Sequence, residues 1–465
     1  MINLINRLLT KSWMPLGLKL ISLTVFIVLV VNGFTAVPTS DNLMIIRNTN
    51  LGNLIVWSYW WPIIIILSIL FGRLWCMICP VELVTSFCAK IGLQRKRPQW
   101  ILSGWGIILF YAVVVFIGLQ GFAIHRNPSY MSIYMLTIMG VSVLSGLVYE
   151  KNTFCRYICP VGYLLALYSL LSSFGWGVKR PKVCETCKDK SCVNKKYRYN
   201  FNAKSCAVDH NPSKVDESHN CILCTGCVKT CDRYQTAVSA ERPNPGFQYR
   251  GFANGLFKMK TLQLSAMLFV LIDTGIVMKE LFIEWKPTRA ALYSIPKSVV
   301  ADLSIDNKFV SGALIGLIIF VIFPFLLWLI PWLSSRLMRS GLKFKDYMLN
   351  YALAFIPISA MVHFSKCLVK MSSRFPYFEH LSKDYTGTST AEQIIDKSLL
   401  LTPLPAWVGI LLSVIITLLI SIGVWTSFRV VNHLNRKYNG GWSTYLIPII
   451  YGFMFVLMIL GWRWL

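Results

Sequence analysis

The sequence predicts a mainly α, polytopic helical membrane protein of about nine spans with one small soluble module inserted in it, and three observations carry that reading. Of 465 residues, 55% are hydrophobic and only 14% are charged, against roughly 25% charged in an ordinary soluble domain. Mean hydropathy is +0.56, and repeated apolar runs approach the ~20 residues that cross roughly 30 Å of hydrocarbon. Thirteen of the 14 cysteines lie between Cys76 and Cys231. The first two observations exclude a soluble globular protein, and the third says where the chemistry is. Forty-six Lys and Arg against 20 Asp and Glu give a net charge of +26. On a membrane chain this reflects inner loops and anionic headgroups rather than nucleic acid.

The predicted spans are 18–34, 55–74, 101–122, 130–148, 262–277, 309–332, 347–364, 407–425 and 445–462. The first follows a polar, basic start without a small-x-small cleavage site, so it reads as a retained anchor rather than a signal peptide. With the N-terminus inside, the inner segments hold 32 Lys and Arg and the outer ones 13; discounting the middle of the long inner insert leaves 22 against 13. The bias near span ends therefore places the insert in the cytoplasm and the chain in the inner (cytoplasmic) membrane.

Two stretches repeat. Cys76-Met77-Ile78-Cys79-Pro80-Val81 is echoed by Cys155-Arg156-Tyr157-Ile158-Cys159-Pro160-Val161, and an apolar segment ending in Lys-Arg-Pro follows each. Two spans lie between the copies and return the chain to the same face, so the four thiols can meet. The apolar pieces 82–93 and 162–175 are short for a crossing and read as interfacial helices.

From residue 183 to 242 the apolar runs stop, which marks a soluble module. It contains Cys221-x2-Cys224-x2-Cys227-x3-Cys231. Three thiolates at that spacing wrap one cubane while the fourth reaches a second cluster, the pattern of a small bacterial-type 2[4Fe–4S] ferredoxin-like module. Zinc would want ligand pairs across a longer loop. Cys184-x2-Cys187-x4-Cys192, then Cys206, is a stretched partner motif. Exchanging the fourth ligands assigns Cys184, Cys187, Cys192 and Cys231 to one cluster, and Cys206, Cys221, Cys224 and Cys227 to the other. His210 and His219 read as solvated surface residues. The resulting division is 1–182, 183–245 and 246–465: a membrane domain with the cysteine-proline motifs, the ferredoxin-like module, and a second membrane domain.

The two cysteine-proline motifs followed by the cysteine-rich module resemble polytopic ferredoxin-type proteins of the NosR, NapH and reductive-dehalogenase-associated group. The resemblance covers about residues 55–242. It implies a cytoplasmic iron–sulfur module that moves electrons between the cytoplasmic or quinone side and an extracytoplasmic redox protein, with a cytoplasmic electron donor as a further partner. Some members add a flavin domain; the nearest segment here, 384–390, reads as a loop.

Cys76, Cys79, Cys155 and Cys159 could hold a further iron–sulfur centre, act as redox-active dithiols, or pack. Cys88 has no partner at a suitable spacing and reads as structural. His363, Cys367 and Met371 fall on one helix face, and His125 ends the third span. They could take haem or copper, or form a packed stripe. No nucleophile elbow, phosphate loop or zinc-protease motif is present, so any substrate chemistry of an oxidoreductase would sit on another subunit. The expected function is membrane electron transfer. Two alternatives stand beside it: a maturation factor reducing a metal or disulfide of an extracytoplasmic enzyme, and a transporter with redox-sensing clusters, for which Asp273 is the main intramembrane charge.

Overall fold

The computed structural model describes residues 6, 8, 9, 11, 13–39, 41–200, 204–208, 210–215, 219–231, 245–338 and 341–464. Each of the nine predicted apolar runs lies on a helix, because a chain in hydrocarbon must satisfy its backbone polar groups within the segment. Among the described residues, seven helices are long and apolar enough to cross a membrane: Leu16–Thr35, Leu51–Phe71, Pro128–Val148, Lys308–Leu337, Phe344–Leu381, Ala406–Tyr438 and Trp442–Trp462. Trp105–Gly121 is a shorter apolar helix, and Leu264–Phe282 has 19 residues with Asp273 buried in its middle.

Three features of the segments expected as outer loops differ from expectation. The helix predicted to stop at 364 continues to Arg374, because Lys366, Lys370 and Arg374 keep an i, i+4 face after the apolar signal ends, and Lys366 pairs with Glu284. The expected loop 278–308 contains the helix Lys286–Asp302, which Pro287 starts in its first turn. The expected loop 384–390 is a turn built on the Asp384 carboxylate. It accepts from Gly387 N (2.9 Å) and Thr390 N (2.9 Å), and leads into the helix Thr388–Ile395.

The chain forms two compact units of interleaved segments. Unit 2 (31–65, 108–134 and 260–465) is organised around Phe344–Arg374, which is buried along most of its length. Gly387, at φ +77°, lets the Asp384 turn seat on Thr49 and Asn50; a Cβ there would stand 2.3 Å from the backbone of both.

Unit 1 (1–30, 66–107 and 135–259) carries both cysteine-proline motifs and the described part of the insert. The repeat is structural. The short helix Leu74–Ile78 breaks at Cys79 and restarts as Pro80–Ile91; Thr153–Tyr157 ends before Cys159 and restarts as Pro160–Tyr168. Both Cys79 (ψ 127°) and Cys159 (ψ 110°) are extended N-caps with proline at the next position. Proline disfavours the helical conformation in the residue before it and suits the first helical turn. The residues after the first copy pair with those entering the second: Leu93 N donates to Leu147 O (2.6 Å) and Glu150 N to Arg95 O (3.1 Å). Gly146 permits this approach, since a Cβ would stand 2.9 Å from the Cβ of buried Cys88.

The second copy departs from the expected interfacial helix 162–175. It ends at Tyr168, is buried on nearly every side, and gives way to the strand Phe174–Val178. That strand pairs antiparallel with Pro245–Tyr249, in a register running from Phe174 opposite Tyr249 to Val178 opposite Pro245. The insert thus leaves and re-enters through one strand pair. Trp176 and Phe247 of the pair share an apolar cluster with Met77 of the first motif and with Leu223 and Val228 of the insert.

One carboxylate ties these pieces. Glu82, 1% exposed, accepts from Lys204 Nζ (2.6 Å), Asn152 Nδ2 (2.5 Å) and Ser86 Oγ (2.9 Å), and pairs with Lys19. Burial alone would raise its pKa; Lys19 and Lys204 outweigh that and hold it below the ordinary 4.5. The lowered folded-state pKa means that the tie is fully present above about pH 4.5 and is lost as the pH falls towards that lower value. Glu82→Gln leaves two buried ammonium groups without their carboxylate and is expected to cost about 3–5 kcal/mol. Thermal unfolding in detergent at neutral pH checks this, and the wild type should converge on the variant as the pH is lowered; a variant melting like the wild type at pH 7 would refute it.

Candidate functional site

The cysteines of the two motifs come from short helices whose breaks turn the thiols inward. Cys76 lies close enough to Cys79, Cys155 and Cys159 to raise the pKa of each of those three. Burial, reinforced by Cys76, pushes the Cys79 thiol up to about 12; burial also lifts Cys159 to about 11, although Gly162 N donates to its sulfur (3.2 Å). Without a metal Cys79, Cys155 and Cys159 are protonated thiols at neutral pH, so binding a cluster there must release protons, and metal ligation would supply the free energy.

The insert holds two further groups. Cys192 is raised to about 12 by burial and by Cys231, Cys184 and Cys187. Cys227 is raised by burial and by Cys224, Cys206 and Cys221, and it also senses Cys192. Cys221, buried, is pushed up to about 12 in the company of Cys224 and Cys206. The motif cysteines and those of the insert thus have thiol neighbours, whereas Cys88 and Cys367 are buried.

Among the described residues, no three His, Cys, Asp or Glu side chains converge as ligands of a single ion. A [4Fe–4S] cubane takes one thiolate on each of its iron corners, so its ligands need not converge on a single ion. Buried cations fit the same group. Arg73, 3% exposed, donates to Cys155 O (3.3 Å) and His219 O (3.2 Å), lowers the pKa of both Cys159 and Cys221, and leaves its buried Nε without a hydrogen-bond partner. Arg156 lowers Cys206 and leaves Nη1 unpartnered. Two desolvated guanidinium groups among neutral thiols are costly; beside anionic thiolate clusters they are compensated.

Glu82, Arg73 and Arg156 escaped the sequence reading. A signal for Glu82 was present, since it is the only acidic residue between Asp41 and Glu150. The histidines of the insert are not the solvated residues expected. His219 packs edge-on against Tyr163 (5.6 Å between rings), and the backbone N–H of His210 donates to Cys206 Sγ (3.3 Å). Their positions in the insert bring them against residues of the candidate centres, which local polarity does not reveal. In unit 2, His125 stands edge-on to Trp57 (6.4 Å) and His363 lies against Trp61 (6.2 Å). Cys367 is buried one turn beyond His363, and Met371 O accepts from Tyr59 Oη (2.9 Å).

Comparison with known proteins bears on the same residues. Segments 53–99 and 131–179 match the 4Fe-4S binding domain family, and each holds one cysteine-proline motif. An uncharacterised protein of Methanocaldococcus jannaschii is 26% identical over 256 residues, covering 52% of this chain and 92% of its own. A protein of Escherichia coli named for electron transport, YccM, is 25% identical over 234 residues (44% of this chain, 62% of its own). Protein NirI of Paracoccus denitrificans is 22% identical over 172 residues (32% and 23%). The match to NirI thus spans under a quarter of that protein. No solved structure matches. The chain carries a 4Fe–4S binding domain on a helical membrane body.

Proposed function

We propose that this chain is an integral membrane electron-transfer protein with three [4Fe–4S] centres on the cytoplasmic side of the inner membrane. Cys184, Cys187, Cys192 and Cys231 would hold one, Cys206, Cys221, Cys224 and Cys227 the second, and Cys76, Cys79, Cys155 and Cys159 the third. The observation that carries the reading is that buried Arg73 acts on both Cys159 of the second motif and Cys221 of the insert, where thiols also neighbour one another. The match of the 4Fe-4S family to both cysteine-proline copies, and the electron-transport name of a relative, support it. Such clusters supply one-electron transfer at potentials set by thiolate ligation, hydrogen bonding and burial.

The chain's own residues do the rest. The proline breaks at Cys79 and Cys159 present backbone N–H groups to the thiols, Arg73 and Arg156 offset thiolate charge, and the Met77–Trp176–Phe247 cluster excludes water. The centres order as a relay, because Cys227 neighbours Cys192 and Arg73 neighbours both Cys159 and Cys221. Electrons would pass between a cytoplasmic donor or quinone and an extracytoplasmic redox protein.

Iron and acid-labile sulfide per chain, with EPR after dithionite reduction, test this on anaerobically purified protein. The expectation is about twelve irons in the wild type and about eight in Cys155→Ser/Cys159→Ser, with one EPR signal lost. About eight irons in both would remove the motif centre, and near-zero iron in the wild type would end the electron-carrier reading. Cys192→Ser should remove a different signal and leave the motif centre's signal in place; loss of the motif signal in that variant would contradict the assignment of separate ligand sets.

A further inference from the structure

Unit 1 contains a cavity of about 50 Å3 that touches the second set of candidate ligands at Cys224 and otherwise extends away from the cysteines. Its walls carry Lys19, Lys90, Lys151, Arg198, Lys204 and Lys229, and Glu82 is the sole carboxylate among the lining residues. Glu82 is already shared by Lys19 and Lys204. Glu150, outside the lining, takes Arg198 (2.6 Å). Among the described lining residues, side-chain cations therefore outnumber carboxylates around a space with room for roughly four water-sized groups, about that of one phosphate.

The cavity lies where two apolar helices end. Pro15, Leu16 and Lys19 belong to the start of Leu16–Thr35, and Lys151 and Asn152 closely follow the end of Pro128–Val148. Both helices are long and apolar enough to cross a membrane, so their ends stand at headgroup level. Just beyond Lys19 on the same helix, Leu20 (51% exposed) and Ile21 (61% exposed) offer an apolar surface along which acyl chains can lie. Burial, then the charges of Arg198 and Arg97, push the Lys151 ammonium down to about 8. Basic pockets between membrane helices on this face suit anionic lipid headgroups.

We propose that this cavity binds the phosphodiester of an anionic phospholipid, with Lys90 and Lys151 at its mouth and Arg198 within it as the phosphate-facing cations. The lipid would fasten the insert, through Arg198 and Lys204, to the helix ends that carry Lys19 and Lys151. The shared chemistry is a phosphate group, and a soluble phosphate is the other possible source.

The test uses the anaerobically purified full chain with its iron. Short-chain phosphatidylglycerol, phosphatidylcholine of equal chain length, and inorganic phosphate are each titrated and followed by native mass spectrometry. Phosphatidylglycerol should bind at least about ten-fold more tightly than phosphatidylcholine, and Lys90→Gln/Lys151→Gln should remove that margin with the iron content unchanged. The charge-retaining pair Lys90→Arg/Lys151→Arg should keep it, which separates loss of charge from loss of fold. Equal affinity for the two lipids, or undiminished phosphatidylglycerol binding by the Gln pair, would overturn the proposal. Inorganic phosphate binding as tightly as phosphatidylglycerol would overturn the lipid assignment in favour of a soluble phosphate.

Discussion

The buried carboxylate of Glu82 is the constraint on which the arrangement of unit 1 depends. Taking a carboxylate out of water costs several kcal/mol, and the cost is recovered only if the surroundings supply opposite charge and saturate the oxygens. Four segments meet that demand: Lys19 of the first helix, Ser86 of the first copy's helix, Asn152 at the entrance to the second copy, and Lys204 of the insert. Because Glu82 sits three residues after Cys79 and Lys204 two before Cys206, satisfying one anion also sets the spacing between two sets of thiols.

The same charge logic runs through the cysteine groups. Buried thiols lie above their ordinary range, and Arg73 and Arg156 keep unpartnered N–H groups next to them. A buried cation with an unpartnered N–H is poorly compensated among neutral thiols, while thiolates on a metal cluster would supply the opposite charge. The 4Fe-4S family match falls on the cysteine-proline copies, the part of the chain where cluster, redox-dithiol and packing readings were all open from sequence.

The repeat is exact in its logic and unequal in its outcome. Both copies use an extended cysteine followed by proline to stop one helix and start another. After the first copy the new helix runs to Ile91 and its following residues pair with those ahead of the second copy. After the second, the helix stops at Tyr168 because the chain must enter the strand that pairs with Pro245–Tyr249 and so closes the insert at its base. Gly175 and Gly177 flank Trp176 in that strand, between Phe174 and Val178, where apolarity alone mimics a continuing helix.

What the sequence determined by itself was local. Apolar length placed a helix under each of the nine runs, proline marked both breaks, and cysteine spacing named the candidate ligands, because helix period and ligand spacing operate over a few residues. Apolar windows misjudged where helices ended: the helix through His363 continues to Arg374 on charged residues, and the one from Ala406 continues to Tyr438, where Asn439 adopts φ +52°. Tertiary structure alone decided that Lys19, in a predicted span, would meet a carboxylate 63 positions away, that Lys204 would join them across 122, and that Arg73 would lie between the motif cysteines and the insert. Such pairings follow from the cost of burying charge, which depends on what packing brings together rather than on neighbours along the chain.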